Sequence, residues 1–447
     1  MILFVFNIFY RVLWLLALPL VMLYLWKRRR KDPRYLYKLK ERFGVYEQAL
    51  PQQPLWVHAV SLGEVRSALG LIRLALARGE KIVISCFTPA GREEAERQFA
   101  DEIVAGDLAV IWVPLDMHWC LHRFYRACRP RFGLTLEVEI WPAMIASARR
   151  AKVPLYLCNS QYTSGAYAKD SRGLRVRQRV IASVAGAFVK SDIQRQRFAS
   201  VGVKNITVTG ELRFDQPIPE ALLDAAAQLR PQLIADGRQV ITIASGVAGE
   251  EEIFRDMILG LQEAAAKDSM PAPLFVYVPR APERFGAVGQ MLQSAGLSVC
   301  ARSQVAEAGT AGLAALGETL ADMPDVLLGD SFGEMYFYLG LADQVIVGGG
   351  FTPAGAHNII EPLAVGKPPI TGPETWPIEF PFAEAEAAGV ARRFETPAAM
   401  VAALWPPSEP PLQAAATFMA EHRGGSLRTL EAMDQVLADS KGQQGGL

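Results

Sequence analysis

The feature that most constrains the fold is an alternation of short β-rich runs with helical stretches, which occurs twice along the chain. Between the first two runs, Val65, Leu69, Ile72 and Leu76 recur at helical spacing, and Gly79 stands where a helix would stop. Such alternation is typical of a parallel sheet with helices on both faces. The expected strands of the first series are residues 55–60, 81–86, 108–113, 133–136, 155–158, 187–190 and 206–209.

The alternation pauses at residues 214–219, where two prolines suit a linker, and it then resumes. A second series of expected strands and a terminal helix occupy residues 240–244, 274–278, 325–328, 344–347, 367–371 and 412–437. We therefore predict an α/β chain of two doubly wound, Rossmann-like domains, at residues 32–216 and 217–447. Because such sheets bind ligands at the carboxyl ends of their strands, we expect a cleft between the two domains.

Residues 1–31 precede both domains and have the composition of a membrane anchor. An almost wholly apolar stretch ends in a basic collar, which consists of residues 27–31 and then Arg34, Lys38, Lys40 and Arg42. The stretch is long enough to span a bilayer, whereas Arg11 and several aromatic residues favour a helix lying in the interface. With either arrangement, the collar predicts that the remainder is cytoplasmic and held against anionic lipid headgroups, with the anchor outside both cores.

Charge and cysteine content exclude several classes of function. Lys plus Arg and Asp plus Glu both number 46, so the basic excess of a nucleic-acid-binding protein is missing and no nucleic-acid partner is expected. The five cysteines form no CxxC pair, and the five histidines form no HExxH pattern. We therefore expect neither a metal site nor a disulfide framework, and the scattered thiols suit a reducing compartment.

The first motif that could carry chemistry is HAVSLGEV at residues 58–65, directly after the opening strand. Gly63 would allow a tight turn, and Glu64 would then stand, with Ser61 beside it, at a helix start above the strand end. A carboxylate there could act as a general base on a sugar hydroxyl. The alternative is that Glu64 only caps the helix, because acids are favoured near helix amino termini.

A second candidate is the pair of carboxylates Glu137 and Glu139 in the segment EVEIWP, which follows another apolar strand. Side chains at i and i+2 point the same way if the segment stays extended, so the two could grip hydroxyls or cations together. The alternative is a solvated loop end that binds nothing.

The third motif is a glycine triplet ending at Gly350, which follows a predicted strand and precedes a helix start expected near residues 356–358. Backbone N–H groups exposed in such a turn favour a phosphate, and small residues let it approach closely. Asn358 would lie one helical turn before Glu361, whose carboxylate could accept hydrogen bonds from ribose hydroxyls. Together with His357, this combination indicates nucleotide binding more strongly than the glycines do alone.

Three further loops at strand ends of the second domain carry polar residues. Arg280 could supply a cation for a phosphate or a sugar carboxylate, or could instead form a surface salt bridge with Glu283. The other two loops contain Ser245, Gly249 and Glu250 after one strand and Gly333 and Glu334 after another. Because all these loops converge on one sheet edge, we expect them to form a binding site together.

The motifs occur in the order found in a known family: HAVSLGE, EVEIWP, GELRFD, PRAPERF, GDSFGE and GAHNIIEP, behind an anchor with a basic collar. Over nearly its whole length the chain resembles the 3-deoxy-D-manno-octulosonic acid (Kdo) transferases, membrane-anchored GT-B glycosyltransferases of Gram-negative lipopolysaccharide assembly. The resemblance implies CMP-Kdo as donor, a lipid A precursor as acceptor, and the cytoplasmic side of the inner membrane as location. It also implies inversion of the anomeric configuration without a metal or other cofactor.

The resemblance also implies roles for individual residues. Glu64 matches the family's catalytic base in its SxGE motif, and Glu139 matches the second acid of its ExEIWP motif. Ser61, Gly63 and Glu137 would lie on the acceptor side. The positions expected to surround CMP and the donor sugar are Ser245, Arg280, Gly333, Glu334, Gly350, Asn358 and Glu361.

The chain departs from the family's usual pattern at five positions, namely Gln161, Glu211, Val247, Ala281 and Ala356, where arginine, asparagine, histidine, histidine and glycine are usual. Losing two histidines and an arginine from an anion-binding cleft leaves the acceptor and the number of Kdo residues transferred open. Two other functions also fit: a GT-B transferase or epimerase with another acceptor or a UDP-sugar, and a non-catalytic CMP-binding membrane protein. The retained Glu64 argues against the last, because a decayed site has no need of a base.

Overall fold

The computed structural model divides the chain into two compact units, Met1–Gln216 together with His422–Leu447, and Pro217–Glu421. The residues that it describes are 2–30, 32–304, 316, 320, 324–407 and 411–444, with side chains as far as residue 439. The boundary after Gln216 falls in the predicted linker. The C-terminal segment belongs to the first unit, which corrects the expected second domain of residues 217–447.

The first unit is built on a parallel seven-stranded sheet with the order β3-β2-β1-β4-β5-β6-β7. Its strands are β1 Leu55–His58, β2 Ile82–Cys86, β3 Leu108–Trp112, β4 Phe132–Leu136, β5 Leu155–Ser160, β6 Gly186–Val189 and β7 Ile206–Val208. The chain adds strands outward on one side of β1 and then on the other, so the winding reverses between β1 and β4. Loops that leave such a topological switch point diverge and open a crevice.

Helices cover both faces of this sheet. They are α1 Ile2–Arg28, α2 Leu62–Ala77, α3 Pro89–Gln98, α4 Ala100–Ala105, α5 His118–Cys128, α6 Pro142–Ala151, α7 Ser164–Asp170, α8 Val176–Ile181 and α9 Asp192–Ser200. On one face α2 and α3 contribute Leu71 and Ala95 to a buried core, and on the other α5 and α6 contribute Phe124 and Met144. The strands between them are apolar on both sides, as is expected of a parallel sheet.

The second unit repeats the architecture, with a parallel sheet of order β10-β11-β9-β8-β12-β13-β14 and a switch point between β8 and β12. Its strands are β8 Val240–Gly246, β9 Leu274–Pro279, β10 Val299–Ala301, β11 Val326–Leu328, β12 Gln344–Val347, β13 Pro369–Thr371 and β14 Arg392–Arg393. The remaining helices are α10 Glu220–Leu233, α11 Glu251–Lys267, α12 Phe285–Ser294, α13 Met335–Leu341, α14 Ile360–Ala364, α15 Glu379–Ala387, α16 Pro397–Leu404, α17 Leu412–His422 and α18 Gly425–Gln444.

Every predicted strand is present, and the alternation of strands and helices confirms the α/β class. Only β10 and β14 were not expected from the sequence, because a strand of two or three residues at a sheet edge carries too short a pattern to detect. The helix expected over residues 412–437 is two helices, α17 and α18, and the break falls at Gly424, whose φ is +90°.

The last helix, α18, starts on the first unit and packs there. The carboxylate of Asp215 accepts hydrogen bonds from the N–H groups of Gly424 and Ser426, each at 2.6 Å, and so caps the helix start. Leu430 and Met433 then join the buried core on the α2 face of the first sheet. The motif GELRFD, which ends at Asp215, therefore fastens the C-terminal helix to the first unit.

The N-terminal helix α1 is the one helix among the described residues that is long and apolar enough to cross a membrane. One stripe along it nevertheless contacts the first unit from end to end: Leu3, Phe6, Tyr10, Trp14, Leu18, Val21 and Leu25. The hydroxyl of Tyr10 donates to the buried carboxylate of Asp116 at 2.7 Å. The helix thus lies along the unit, and the expectation that the anchor stands outside both cores is wrong.

The other side of α1 is exposed and apolar, with Phe4, Phe9, Leu16 and Leu20 each more than 60% exposed. Helix α1 thus has one face on its own unit and an opposite apolar face that is open to solvent. The basic collar is only partly free for lipids. Arg42 is fully buried against the ring of Trp112, which corrects its assignment to the collar, and Lys31 lies outside the described residues.

Candidate active site

The topological switch point of the first sheet brings together two of the three sequence motifs. The loop after β1 ends at Ser61 and leads into the first turn of α2, which carries Gly63 and Glu64, and the loop after β4 carries Glu137 and Glu139. Because β1 and β4 are adjacent and parallel, both loops leave the same edge of the sheet side by side. The acids predicted from separate motifs therefore share one site.

Glu64 stands at the third residue of α2, and Ser61 is the residue that caps this helix. The carboxylate of Glu64 accepts hydrogen bonds from the N–H of Val60 at 2.7 Å and from the hydroxyl of Ser61 at 3.0 Å. Gly63 lies within the helix, and a Cβ atom added there would meet no other atom, so the expected tight turn at Gly63 is wrong. The capping role of Glu64 is thus real.

Glu64 can act as a base as well as a helix cap, because its environment raises the pKa of its carboxylate. Burial, helped by the negative charges of Glu139 and Glu137, raises the pKa of Glu64 to about 7, although the hydrogen bonds from Val60 and Ser61 lower it. A carboxylate with a pKa near 7 is ionised in a useful fraction of molecules and binds a proton readily. This is the property that general-base catalysis requires.

Glu139 is held by the tryptophan that follows it in the motif. The indole Nε1–H of Trp141 donates to the Glu139 carboxylate at 2.7 Å. Trp141 in turn packs edge-on against the ring of His58, with the ring centroids 5.5 Å apart. His58 is fully buried and bonded through Nδ1 to Ser85 at 2.9 Å, and burial lowers its pKa to about 4, so the ring is neutral. A neutral, fixed scaffold therefore orients Glu139.

Glu137 does not point the same way as Glu139. Its φ is +55°, so the segment is not extended and the expected parallel pair of carboxylates is not formed. Instead, the Glu137 carboxylate accepts two hydrogen bonds of 3.1 Å from the ammonium of Lys190 and one of 3.1 Å from Asn159. Lys190 also pairs with the buried Glu211 at 2.7 Å.

This buried network explains one departure from the family pattern. Glu211, which stands where asparagine is usual, is 1% exposed and accepts a hydrogen bond from Asn159 at 2.8 Å. Burial alone would raise its pKa, but the charges of Lys190 and Arg213 lower it, so Glu211 stays ionised. The extra acid is therefore matched by a buried cation and does not reach the site as an unpaired charge.

In the second unit, the switch point joins the loop after β8 to the glycine turn after β12. Glu250 ends the first of these loops, immediately before α11, and is fully buried. Its carboxylate accepts hydrogen bonds from the N–H groups of Gly349 at 2.6 Å and Phe351 at 2.9 Å. The expected phosphate-binding N–H groups of the turn are thus partly occupied by a carboxylate of the protein. Glu250 is therefore a structural organiser of the turn, and the prediction of a bare phosphate cradle needs this correction.

The glycines of the turn are required by close packing. Gly349 has a φ of +99°, and a Cβ atom on Gly350 would lie 2.4 Å from the backbone N of Gly372. The turn is therefore pressed against the loop after β13. Ser245, at the end of β8, also has a positive φ of +59°, and its carbonyl lies against Gly348 of the turn.

The side chains that follow the turn are half-buried and polar. His357, Asn358 and Glu361 are each partly exposed. Helix α14 begins at Ile360, later than expected, so Asn358 lies before the helix, and its side-chain oxygen accepts the N–H of Ile360 at 3.0 Å. Burial, and then the nearby charge of Arg280, lower the pKa of His357 to about 4. Arg280 and His357 therefore share this part of the sheet edge.

In the loop after β11, the side chain of Glu334 does not take the ligand-binding position that the sequence predicts. Glu334 is buried, and both of its carboxylate oxygens accept hydrogen bonds of 3.0 Å from the guanidinium of the buried Arg302. The carboxylate therefore faces the interior, not a ligand, which corrects the role expected for this side chain. Gly333, by contrast, is exposed with a φ of +78°, and a Cβ atom there would meet no other atom.

Each unit thus presents its own cluster of candidate residues at a switch point. The first has Glu64, Glu139 and, turned aside, Glu137; the second has Ser245, Arg280, His357, Asn358 and Glu361. The residues that sequence reasoning missed are partners: Trp141 for Glu139, Lys190 for Glu137 and Arg302 for Glu334. Trp141 could have been found, because an indole two residues from an acid is within reach of it.

Comparison with known proteins places the chain in a family. The family model described as 3-deoxy-D-manno-octulosonic-acid transferase (kdotransferase) matches residues 37–216. A 3-deoxy-D-manno-octulosonic acid transferase of Bordetella pertussis is 36% identical over 431 residues, covering 94% of this chain and 96% of the relative. One from Haemophilus influenzae is 30% identical over 379 residues, covering 83% of each chain.

Solved structures match the fold at low sequence identity. UGT73P12 of Glycyrrhiza uralensis, complexed with glycyrrhetinic acid 3-O-monoglucuronide, has a TM-score of 0.57 and 11% identity and covers 88% of this chain and 97% of its own. UDP-GlcNAc 2-epimerase from Neisseria meningitidis has a TM-score of 0.52 and 13% identity and covers 86% and 100%. These likenesses concern the fold alone and confirm the GT-B prediction. With the sequence relatives, they lead to one conclusion: the chain belongs to the Kdo transferase family of glycosyltransferases.

Proposed function

We propose that the chain is an inverting Kdo transferase of lipopolysaccharide biosynthesis, which moves Kdo from CMP-Kdo to a lipid A precursor without a metal, with Glu64 as general base. The first unit binds the acceptor and the second binds the donor. The observation that carries the proposal is the position of Glu64. Its carboxylate stands at a topological switch point, beside Glu139 and Glu137, and burial raises its pKa to about 7.

In the proposed step, the oxygen of an acceptor hydroxyl forms a bond to the anomeric carbon of Kdo. The bond between that carbon and the phosphate oxygen of CMP breaks, and its electron pair leaves with CMP. The Glu64 carboxylate takes the hydroxyl proton, so that no charge builds up on the attacking oxygen. Attack on the face opposite CMP inverts the configuration, and CMP is a good enough leaving group to depart without a metal.

The neighbours of Glu64 support this role. The charge of Glu139 raises the pKa of Glu64 and so favours proton uptake, and the Glu139 oxygen that Trp141 does not bind can accept a hydrogen bond from an acceptor sugar. Both carboxylate oxygens of Glu137 accept hydrogen bonds from Lys190, so Glu137 does not serve as a second base. It contributes only its negative charge, which raises the pKa of Glu64. Ser61 fixes the Glu64 carboxylate by donating its hydroxyl at 3.0 Å.

On the donor side, the side chains near the second switch point are the candidates for binding CMP-Kdo. Arg280 supplies a cation for the phosphate or the Kdo carboxylate, and Asn358 and Glu361 supply hydrogen-bonding groups for the ribose. Glu250 holds the glycine turn in place but takes the N–H groups of Gly349 and Phe351 for itself. Phosphate binding therefore depends on Arg280 more than on the glycine turn.

The place of the reaction follows from α1. We place the enzyme on the cytoplasmic side of the inner membrane, with the exposed apolar face of α1 in the interface and residues 27–30 at headgroup level. This arrangement brings the acceptor-binding unit to the surface in which a lipid acceptor resides.

The test is incubation of the full chain with CMP-Kdo and a tetra-acylated lipid A precursor, with products resolved by mass spectrometry. We expect the mass of the precursor to increase by one or more Kdo residues, and CMP to raise the thermal unfolding midpoint more than UDP does. Turnover of a UDP-sugar, or equal shifts with CMP and UDP, would instead favour a related GT-B activity.

A further inference from the structure

A second, strongly basic surface lies in the first unit away from the candidate active site. A cavity of about 760 Å³ lies between α5 and α6. Its charged lining is Arg126, Arg129, Arg131, Arg150 and Lys152, and two histidines, His118 and His122, also line it. A neighbouring cavity of about 950 Å³ shares Arg131 and Lys152 with it and adds Arg149, Arg179 and Lys204. We call the two cavities together the basic groove.

Most of the positive charge in the basic groove is unpaired. Arg131 pairs with Glu80. The remaining lining cations that have no carboxylate partner among the described residues are Arg126, Arg129, Arg149, Arg150, Lys152, Arg179 and Lys204. The whole chain has equal numbers of acidic and basic residues. The excess of positive charge in the groove is therefore not a consequence of the overall composition. Such a surface attracts anions, and arginine forks match phosphate oxygens in particular.

The basic groove is continuous with the membrane helix α1. Leu3 of α1 lines the larger cavity, and Arg11 of α1 lines a small cavity of about 170 Å³ together with His118, which also lines the first cavity. Burial, and then the charges of Arg11 and Arg150, lower the pKa of His118 to about 4, which places both cations near this ring. Arg11, the one charged residue in the apolar stretch 2–26, thus lies beside the groove.

The basic groove is also distinct from the acceptor hydroxyl site. Arg129 and Arg131 precede β4, and Lys152 precedes β5, whereas Glu137 follows β4. The groove therefore reaches the amino ends of strands whose carboxyl ends carry the candidate active site. A strand of five residues such as β4 separates these ends by about 17 Å.

We propose that the basic groove binds the phosphate of an anionic phospholipid headgroup and so docks the first unit on the membrane at a point separate from the reacting acceptor. When the apolar face of α1 enters the interface, the groove beside it lies at the level of the headgroups. Lipid phosphates are the anions present there in excess. Contacts with several arginines and lysines would fix the orientation of the unit as well as its attachment.

The test compares two full-length triple variants in vesicle flotation. One is Arg126→Gln, Arg129→Gln and Arg150→Gln in the groove. The matched control, Arg73→Gln, Arg78→Gln and Arg97→Gln, removes equal charge from exposed positions on α2, at its C-terminal cap and on α3, which cover the opposite face of the sheet. Vesicles contain phosphatidylcholine, with or without phosphatidylglycerol.

We expect the groove variant to bind phosphatidylglycerol vesicles on the order of 100-fold more weakly than the wild type, at about fivefold per cation. The control variant should bind these vesicles almost as tightly as the wild type, and both variants should keep the wild-type midpoint of thermal unfolding. Equal binding by the two variants would overturn the proposal. A second arm uses inorganic phosphate: stabilisation of the wild type by millimolar phosphate, with vesicle binding unchanged in the groove variant, would assign the groove to soluble phosphate and overturn the lipid assignment.

Discussion

Glu64 and Glu250 occupy corresponding places in the two units. Each follows the first strand of its sheet, each stands where a helix begins, and each accepts backbone N–H groups at a switch point. Burial raises the pKa of both. The difference lies in the partners: Glu64 bonds to Val60 and Ser61 of its own loop, whereas Glu250 is fully buried and ties its loop to the glycine turn after β12.

The comparison shows that a carboxylate at the same place in the fold can have two different roles. A carboxylate bonded only within its own loop keeps an exposed side and can exchange a proton. A carboxylate that bridges two loops and is fully buried holds the backbone in place and is unavailable to a substrate. Position on the fold therefore does not separate the proposed catalytic acid from a structural one, whereas burial and hydrogen-bond partners differ between them.

The largest expected effect is on turnover when Glu64 is neutralised. Glu64→Gln keeps an oxygen for the N–H of Val60 but cannot take a proton, so kcat should fall by about 100-fold or more while KM for CMP-Kdo stays close to that of the wild type. Steady-state release of CMP measures both. Glu220→Gln, at the exposed start of α10, is the matched control. Unimpaired turnover in Glu64→Gln would make Glu64 a helix cap only.

The next effect in size concerns the stability of the second unit. Glu250→Gln replaces one of the two accepting oxygens by an amide donor, so either Gly349 or Phe351 loses its acceptor, which should cost about 2 to 3 kcal/mol of folding free energy. Hydrogen–deuterium exchange should show faster exchange at these two amides. Glu252→Gln, exposed on the same helix, should leave them protected. Equal protection in both variants would contradict the organising role of Glu250.

A smaller effect is expected from pH. Because the pKa of Glu64 is raised to about 7 and the base must be ionised, kcat should rise about tenfold from pH 6 to pH 8 and then level off. The same shift favours the protonated carboxyl in the folded state, so the contribution of Glu64 to stability should be lost as pH rises from about 4.5 to about 7. Neither trend should remain in Glu64→Gln. A flat rate profile in the wild type would reject the assignment.

The smallest effect should come from Trp141. Trp141→Phe keeps a ring against His58 but removes the N–H that donates to Glu139, so kcat/KM for the acceptor should fall about fivefold. Trp119→Phe, an exposed ring on α5, controls for the loss of an indole. The two variants should differ in acceptor kinetics but not in CMP affinity. A loss confined to CMP affinity would place Trp141 outside the acceptor side.

The order of strands and helices could be predicted from sequence because it rests on local periodicity. The first site could be located as well, since Glu64 and Glu139 each follow a strand, and adjacent parallel strands bring their carboxyl ends together. What sequence could not reveal are partners from distant segments. Arg302 lies 32 residues before Glu334, and Lys190 lies 53 residues after Glu137. Such distances carry no periodic signal, so the inward turn of these acids was not predictable.

The packing of α18 on the first unit has a consequence for synthesis. Met433 completes a core begun by Leu71, yet it leaves the ribosome only after the whole of Pro217–Glu421 has been made. The first unit thus stays unfinished throughout translation, while α1, with its apolar face, emerges at the outset. A premature stop after residue 421 would leave Pro217–Glu421 whole but remove α18 from the core of the first unit. The core of the first unit therefore closes only after the C-terminal helix has been made.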